Sequence, residues 1–458
     1  MSAREVDVAV VGAGPAGMAA ATALAERGLR VVLLDEQATA GGQIYRGISL
    51  APLARRDVLG PDYAVGNTLA QTLATSTVEH VAGASVWQIT RERQLNYQFE
   101  GRMHSVDARA VLLATGAMER PFPIPGWTLP GVMGAGAAQI LLKSNGLAPR
   151  EPVVLAGCGP LLYLLGWQYL RAGVPIRALV DTTHRNDYWR ARTHLLAALR
   201  AWPYLRKGLS LLRSLRRAGI AHYSGAEHLA VEGEAQAEAL TFHVGGQQHR
   251  IPASCILLHQ GVVPNIQFSQ SLRARHAWDT RQLCFAPLTD DWGQLDVDGI
   301  YVAGDGGGIG GAQAAEVQGQ LAALAIAERL QVLDRPGRDR LAAPLREHLA
   351  ANLRIRPFLD SLYRPRDEHR IPADDVMVCR CEEVTAGDIR GFVALGCHGP
   401  NQAKAFGRCG MGPCQGRFCG LTVSEVIAQA REVPVEEVGY YRIRPPIKPL
   451  TLGELAGD

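Results

Sequence analysis

The chain has 458 residues, of which 47% are hydrophobic and 20% charged, and a formal net charge of +3. That length exceeds what one hydrophobic core normally fills and predicts about three domains, while the composition excludes a disordered chain. The near balance of charge argues against nucleic acid as a partner.

A strand pattern starts at once (Val6, Val8, Val10, Val11), without the charged and apolar regions of an export signal. No apolar stretch reaches the ~18 residues that a spanning helix needs, so a cytoplasmic chain without a membrane span is expected. The segment VAVVGAGPAG (residues 8–17) ends that strand in a glycine turn opening a helix. Gly12 permits the tight turn, Gly14 lets backbone amides approach a pyrophosphate, and Gly17 lets helix and strand pack closely. Pro15 and Ala16 open the helix, whose N-terminus favours the phosphate charge. The next strand closes on Asp35, followed by Glu36, where a carboxylate accepts hydrogen bonds from ribose hydroxyls.

The same order of strand, glycine turn, helix and strand returns at residues 152–181. Its turn reads GCGPLL (157–162), with Leu162 where a small residue is expected, a bulk that pushes helix from strand and crowds a pyrophosphate. Asp181 still ends the following strand, which leaves a second nucleotide at 157–162 open. Residues 183–219 form a basic, leucine-rich helical insert around Pro203. Its first reading is a leucine face packed on its own domain with arginines in water, and its second a partner or membrane surface. Residues 335–375 read as a linker region containing a helix over 340–353, and the last residues, from 445, as an extended tail laid on the surface.

Of nine cysteines, Cys158, Cys255 and Cys284 are scattered, whereas six fall between Cys379 and Cys419. In a cytosolic chain such crowding reads as metal ligation. Four thiolates hold an iron-sulfur cluster, and a structural zinc site satisfies the same count. Gly410, Gly412 and Gly416 stand beside the thiols, where glycine lets the backbone approach sulfur.

Several motifs carry a resemblance. Gly41-Gly42-Gln43 follows Asp35, Leu112 to Gly116 ends a strand in Thr115-Gly116, Gly261 to Asn265 follows another, and Gly299 to Asp305 ends in Gly304-Asp305 before a glycine-rich helix start. Over roughly the first 330 residues the chain resembles the two-dinucleotide-domain flavoproteins, the family of thioredoxin reductase and glutathione reductase. The resemblance implies FAD held by Gly12, Gly14, Pro15, Ala16, Gly17, Asp35, Glu36, Gly42, Gln43, Thr115, Gly116, Gly304, Asp305 and Gln313. It places Asp305 on the ribityl chain and the helix start at 306–313 against the pyrimidine end of the ring. No C-x-x-C or C-x-x-x-x-C pair precedes Cys379, which argues against thiol-disulfide reduction.

The cysteine segment, CRCEEVT (379–385) and later RCGMGPCQGRFC (408–419), resembles the bacterioferritin-associated-ferredoxin type of 2Fe-2S domain. Carry-over by position implies Cys379, Cys381, Cys414 and Cys419 as ligands and leaves Cys397 and Cys409 outside, and attachment to a flavin core favours iron-sulfur over zinc. With the run ATGAMERPFPIPGWTLPGVM (114–133), the whole chain is similar to the larger, electron-carrying subunits of hetero-oligomeric amine dehydrogenases. These include opine oxidases, hydrogen cyanide synthase, D-hydroxyproline dehydrogenase and, more distantly, sarcosine oxidase.

The expected fold is therefore α/β, a two-dinucleotide-binding-domain flavoprotein with a small C-terminal helical 2Fe-2S domain. FAD-binding residues would be 1–120 and 284–334, a second dinucleotide-like domain 121–283, the linker 335–375, the cluster domain 376–440 and a tail 441–458. The resemblance implies a smaller FAD-containing subunit that oxidises the C–N bond of an amino acid, imino acid or opine, and leaves room for a further small subunit. It also implies an external acceptor such as a quinone, through which the protein would reach the inner membrane face. No catalytic nucleophile or base is assigned to this chain. The competing reading is a stand-alone NAD(P)H-dependent reductase.

Overall fold

The computed structural model describes residues 4–456. Its first sheet is built on the parallel strands Arg4–Val11, Val31–Asp35 and Arg102–Leu113, with Val8 opposite both Val31 and Ala110. Glu79–Ala82 flanks Val31–Asp35, and the hairpin of Ser85–Ile89 and Gln94–Phe99 lies against the N-terminal half of Arg102–Leu113. Ile300–Val302, remote in sequence, pairs in parallel with the other half and delivers Gly304-Asp305 beside the first glycine turn.

Strand side chains alternate between faces, and here both faces are buried. Val8, Val10, Leu33 and Leu112 enter the core formed with the helices Pro15–Ala25 and Ala312–Arg329. Ala9, Val11, Leu34 and Leu113 enter a second core that continues into Val423, Tyr441 and Ile447 of the C-terminal module. The two helices touch closely: a Cβ on Gly319 would stand 2.2 Å from the Ala16 carbonyl oxygen.

A second sheet runs in the order Ala221–Ser224, Ile176–Asp181, Val153–Cys158, Cys255–Gln260, Val132–Gly134, all parallel. The chain crosses between the two sheets twice, and the crossings pair as Ala117–Glu119 with Val262–Pro264. The sequence motifs around Thr115-Gly116 and Pro264-Asn265 are thus one structural feature.

Three expectations change. Residues 335–375 are packed structure rather than a connector. Helix Arg335–Leu353 begins earlier than expected because the Asp334 carboxylate accepts from the Gly337 amide at 3.2 Å and Pro336 fits the first turn. It lies on Val317, Leu321 and Leu324, and a further helix, Arg356–Leu362, follows. The C-terminal tail is partly embedded, with Tyr441, Ile443 and Ile447 buried. The basic insert divides: on Trp202–Arg217 Leu211 and Leu215 are buried, while Leu195, Leu196, Leu199 and Leu209 stay exposed. Among the described residues no helix is long and apolar enough to cross a membrane.

Candidate functional site

The first glycine turn opens onto a cavity of about 380 Å³. Gly12 adopts φ +105°, and a Cβ there would stand 2.4 Å from the Ala114 carbonyl oxygen. A Cβ on Gly17 would stand 1.9 Å from the Gly12 carbonyl oxygen, so Gly17 sets helix against strand and does not itself line the cavity. Gly14 does line it, and a Cβ there would meet only the Gly42 Cα at 3.8 Å. The Asp35 carboxylate accepts from the Ala13 amide at 2.5 Å and the Gln37 amide at 2.7 Å, which fixes it at the cavity edge. Asp305 accepts from the amides of Gly310 and Gly311 at 2.8 and 2.9 Å, tying the helix start to the same wall.

The cavity thus gathers Gly12, Gly14, Pro15, Ala16, Asp35, Glu36, Gly42, Gln43, Thr115, Gly116, Gly304 and Asp305. Gln313 turns away: it is exposed, and its amide oxygen accepts from the Tyr204 hydroxyl at 2.7 Å. Sequence reading missed Arg46, Gln139, Lys143, Arg417, Ile447 and Lys448, which also line the cavity. Lys143 is buried and donates to the Gln139 side chain at 2.8 Å and the Gln43 carbonyl at 3.1 Å. Burial, with Arg46 nearby, pulls its ammonium down to about 7. The i, i+4 spacing of Gln139 and Lys143 on helix Ala135–Asn145 was the available signal. An adenine dinucleotide fits this site: an acid at the ribose position, a backbone cradle without Cβ atoms, and a helix N-terminus between them.

In the C-terminal module the strand Met377–Cys379, the turn before helix Gly420–Arg431 and the tail converge. The sulfurs of Cys379, Cys409 and Cys419 lie within 4.8 Å of one another, all buried. The positional set Cys379, Cys381, Cys414 and Cys419 left Cys409 outside, and the packing places the Cys409 sulfur beside two members of that set. Cys414 contacts both Cys419 and the exposed Cys381, whereas Cys397 stands apart, its thiol donating to the Gly399 carbonyl at 3.3 Å. Hydrogen bonds from the Cys409 and Cys419 thiols draw the Cys379 thiol down to about 2, against the effect of burial. The glycines serve packing as well as approach to sulfur. Cβ atoms on Gly410 and Gly416 would stand 2.5 and 2.6 Å from the Tyr441 ring, and one on Gly412 would stand 2.2 Å from the Cys381 Cβ. Six thiols in one module, five of them apart from Cys397 drawn together and three of those clustered and buried, fit a four-thiolate iron-sulfur or zinc site.

The second glycine turn has another fate. Leu162 is fully buried in the core and Leu161 reaches the first cavity. Asp181 accepts from the Tyr163 hydroxyl at 2.5 Å and the Thr183 amide at 2.8 Å. Ligands of such sheets bind outside the carboxyl ends of the strands, and here that crevice holds the chain's own residues 356–370. The Cys158 thiol donates to the Tyr363 carbonyl at 3.7 Å, and the Tyr163 and Tyr363 rings lie 6.0 Å apart. Gln260 at the end of its strand bonds Thr182 at 3.0 Å and His369 at 3.3 Å. Burial pulls His369 down to about 3, so it is a neutral packing group. This segment counts against the nucleotide left open at 157–162.

Fold and cavity together define a two-dinucleotide-domain oxidoreductase with an appended thiol module. Residues 6–319 match the pyridine nucleotide-disulphide oxidoreductase family, and the chain belongs to it. Residues 375–458 match the sarcosine oxidase A3 domain. The chain is 46% identical to an opine oxidase subunit of Agrobacterium tumefaciens (strain Ach5), over 98% of this chain and 91% of that one. It is 32% identical to hydrogen cyanide synthase subunit HcnB of Pseudomonas protegens, over 96% of this chain and 95% of that one. The fold is also that of L-proline dehydrogenase from P. horikoshii, with a TM-score of 0.74 and 21% identity over 99% of this chain and 80% of that one.

Proposed function

We propose that this chain is the electron-transfer subunit of a hetero-oligomeric flavin dehydrogenase that oxidises the C–N bond of an amino acid, imino acid or opine. The oxidation itself would take place in a smaller FAD-containing partner. The observation that carries the reading is the pairing of one open dinucleotide cavity with a buried thiol cluster in the module packed beside it, while the second nucleotide crevice is filled by the chain itself. The names of the relatives, subunits of opine oxidase and of hydrogen cyanide synthase, support membership of an assembly and a C–N substrate.

When bound, FAD would take up an electron pair and release it one electron at a time, the only way a 2Fe-2S cluster can carry it, so the two groups together would relay both electrons from the donor to an external acceptor such as a quinone. The chain's own residues supply the setting. Asp35 and Glu36 would hold the adenosine ribose, the start of helix Pro15–Ala25 and Gly42 the pyrophosphate, and Asp305 with Gly311 the ribityl end, while Thr115, Gly116, Gln43 and Lys143 would border the ring. Cys379 and Cys419, with two of Cys381, Cys409 and Cys414, hold the cluster. The proposed limits are 1–120 and 284–334 for the FAD-binding domain, 121–283 for the second dinucleotide-like domain, 376–440 for the cluster domain and 441–458 for the tail, with 335–375 packed on the body.

Co-expression with a candidate smaller flavoprotein subunit, purification on a tag carried by this chain, and counting of flavin and iron test the reading. A stable complex with flavin in both chains and two irons per complex is expected. A monomeric chain that reduces a dye from NADH alone would overturn it in favour of the stand-alone reductase.

A further inference from the structure

The cavity is not closed by the dinucleotide-binding sheet alone. Asp35, Glu36, Gln37, Ala84 and Val86 mark its adenosine end, since the acid closing the second strand is the ribose side of such a site. Three residues of the C-terminal module stand at that same end: Arg417, Ile447 and Lys448. Lys448 is ion-paired with Glu36, and the Ile447 amide donates to the Trp87 carbonyl at 3.0 Å, with Ile447 itself buried. Arg417 lies in the loop between Cys414 and Cys419, and both its backbone amide and its Nε donate to the Cys414 carbonyl at 3.1 Å. The guanidinium is therefore folded onto the backbone of a thiol-bearing residue. That loop passes through two consecutive left-handed residues, Gln415 (φ +51°) and Gly416 (φ +75°), and is wedged against Tyr441, whose hydroxyl lies 3.9 Å from the Cys419 sulfur.

We propose that the loop holding Cys414 and Cys419 is also the wall of the cavity's adenosine end, with Arg417 a direct contact of bound adenosine, so that filling the thiol site and filling the cavity favour one another. The inference rests on the reading of the cavity as an adenine-nucleotide site and of the thiols as iron-sulfur ligands. The chemistry is that of a planar guanidinium, which stacks on an adenine face and donates to ribose or phosphate oxygens. Coupling follows from geometry. Metal bound by Cys414 and Cys419 fixes the Cys414 carbonyl, that carbonyl fixes Arg417, and Arg417 meets the nucleotide; linkage then makes the effect equal in both directions. FMN, which lacks adenosine, should not take part.

The test uses the full chain with ADP, FAD and FMN as separate probes, titrated into iron-loaded and chelator-stripped protein, by calorimetry for ADP and by fluorescence quenching for the flavins. Stripping is expected to weaken ADP and FAD about tenfold. Arg417→Ala should weaken both in the loaded protein and abolish the difference between loaded and stripped forms. Because the stripped chain could unfold, a second readout uses loaded protein only: saturating ADP should slow iron loss to a chelator several-fold in the wild type and not in Arg417→Ala. Equal ADP affinity of Arg417→Ala and wild type, or iron loss indifferent to ADP, overturns the proposal. Iron-dependent ADP binding without FAD binding would support it while removing the flavin from the proposed function. FAD binding indifferent to iron and to Arg417→Ala would do the reverse.

Discussion

The Tyr163 hydroxyl donates to the Asp181 carboxylate at 2.5 Å inside the second dinucleotide-like unit, where neither residue is accessible to solvent. The acid that a nucleotide ribose would need is thus already bonded within the chain, and Tyr363 sits against the Cys158 side of the same crevice. NADH and NADPH are expected to bind too weakly to detect at millimolar concentration, and dye reduction from either should stay at background. Saturable quenching of nicotinamide fluorescence by the purified chain is the contrary result.

The two glycines of the first turn should fail differently. A Cβ on Gly17 collides with the Gly12 carbonyl at 1.9 Å, so Gly17→Ala is expected to lose the folded state. A Cβ on Gly14 meets nothing closer than 3.8 Å and projects into the cavity. Gly14→Ala should keep its circular dichroism and melting temperature and lose flavin affinity at least about tenfold. Equal flavin content in Gly14→Ala and wild type would show that the pyrophosphate lies elsewhere.

Much of this was legible because short-range geometry dictated it. The turn at Gly12 and the acid at Asp35 are set by local backbone requirements, the pair Gly304-Asp305 was carried over by resemblance, and all of them meet in one cavity. Legibility ended where contacts are remote in sequence. Glu36 and Lys448 are 412 residues apart, and no periodicity announces their pairing. Cys409 fell outside a spacing pattern, yet the positive φ of Gly410 and the Tyr441 ring fold its sulfur onto Cys379 and Cys419. Residues 335–375 read as a connector because their apolar groups are few, but a helix cap and a filled crevice make them structure.

Cysteine replacements follow from that packing. Cys379→Ser and Cys419→Ser should each abolish the visible absorption of the cluster, and Cys409→Ser separates the ligand sets, since its sulfur completes the buried group. Cys397→Ser should leave it intact, since that thiol is bonded to Gly399. Iron and absorption retained in Cys409→Ser but lost in both Cys381→Ser and Cys414→Ser would select the positional ligand set, and loss in Cys409→Ser with retention in Cys381→Ser or Cys414→Ser would select Cys409.

Lys143 makes stability pH-dependent with a definite sign. Its ordinary value of 10.5 falls to about 7 in the folded chain, through burial first and Arg46 second. Below pH 7 folded and unfolded chains both carry the proton, and the folded one does so at a cost. Between about 7 and 10.5 only the unfolded chain stays protonated, so this group makes stability rise with pH across that window. Lys143→Met should therefore melt higher than wild type at pH 6, with the difference shrinking towards pH 10. A difference that is flat, or that grows with pH, would place the ammonium in a solvated or ion-paired setting.

The isolated chain should not oxidise amines, imino acids or opines, and should gain that activity only with its partner. Oxidation of a C–N bond needs a pocket in front of a flavin that orients the substrate carboxylate and presents the carbon for hydride transfer. In this chain the cavity wall facing the flavin end is made by Ile44, Gln139, Lys143 and Leu161, and Gln139 and Lys143 are bonded to one another. Lys143 spends a further donor on the Gln43 carbonyl, and Arg46 beside it donates to the Gln43 side chain at 2.9 Å, so both cations at this wall are already engaged with Gln43. The other crevice that such folds use for a reactant is filled by residues around Tyr363 and His369. Steady-state assays with D- and L-imino acids, opines, glycine and sarcosine, using an artificial dye acceptor, should show turnover for the co-purified complex and none for the single chain. Turnover by the single chain at a rate comparable to the complex would move the substrate site into this cavity, and Lys143→Met would then be expected to raise KM.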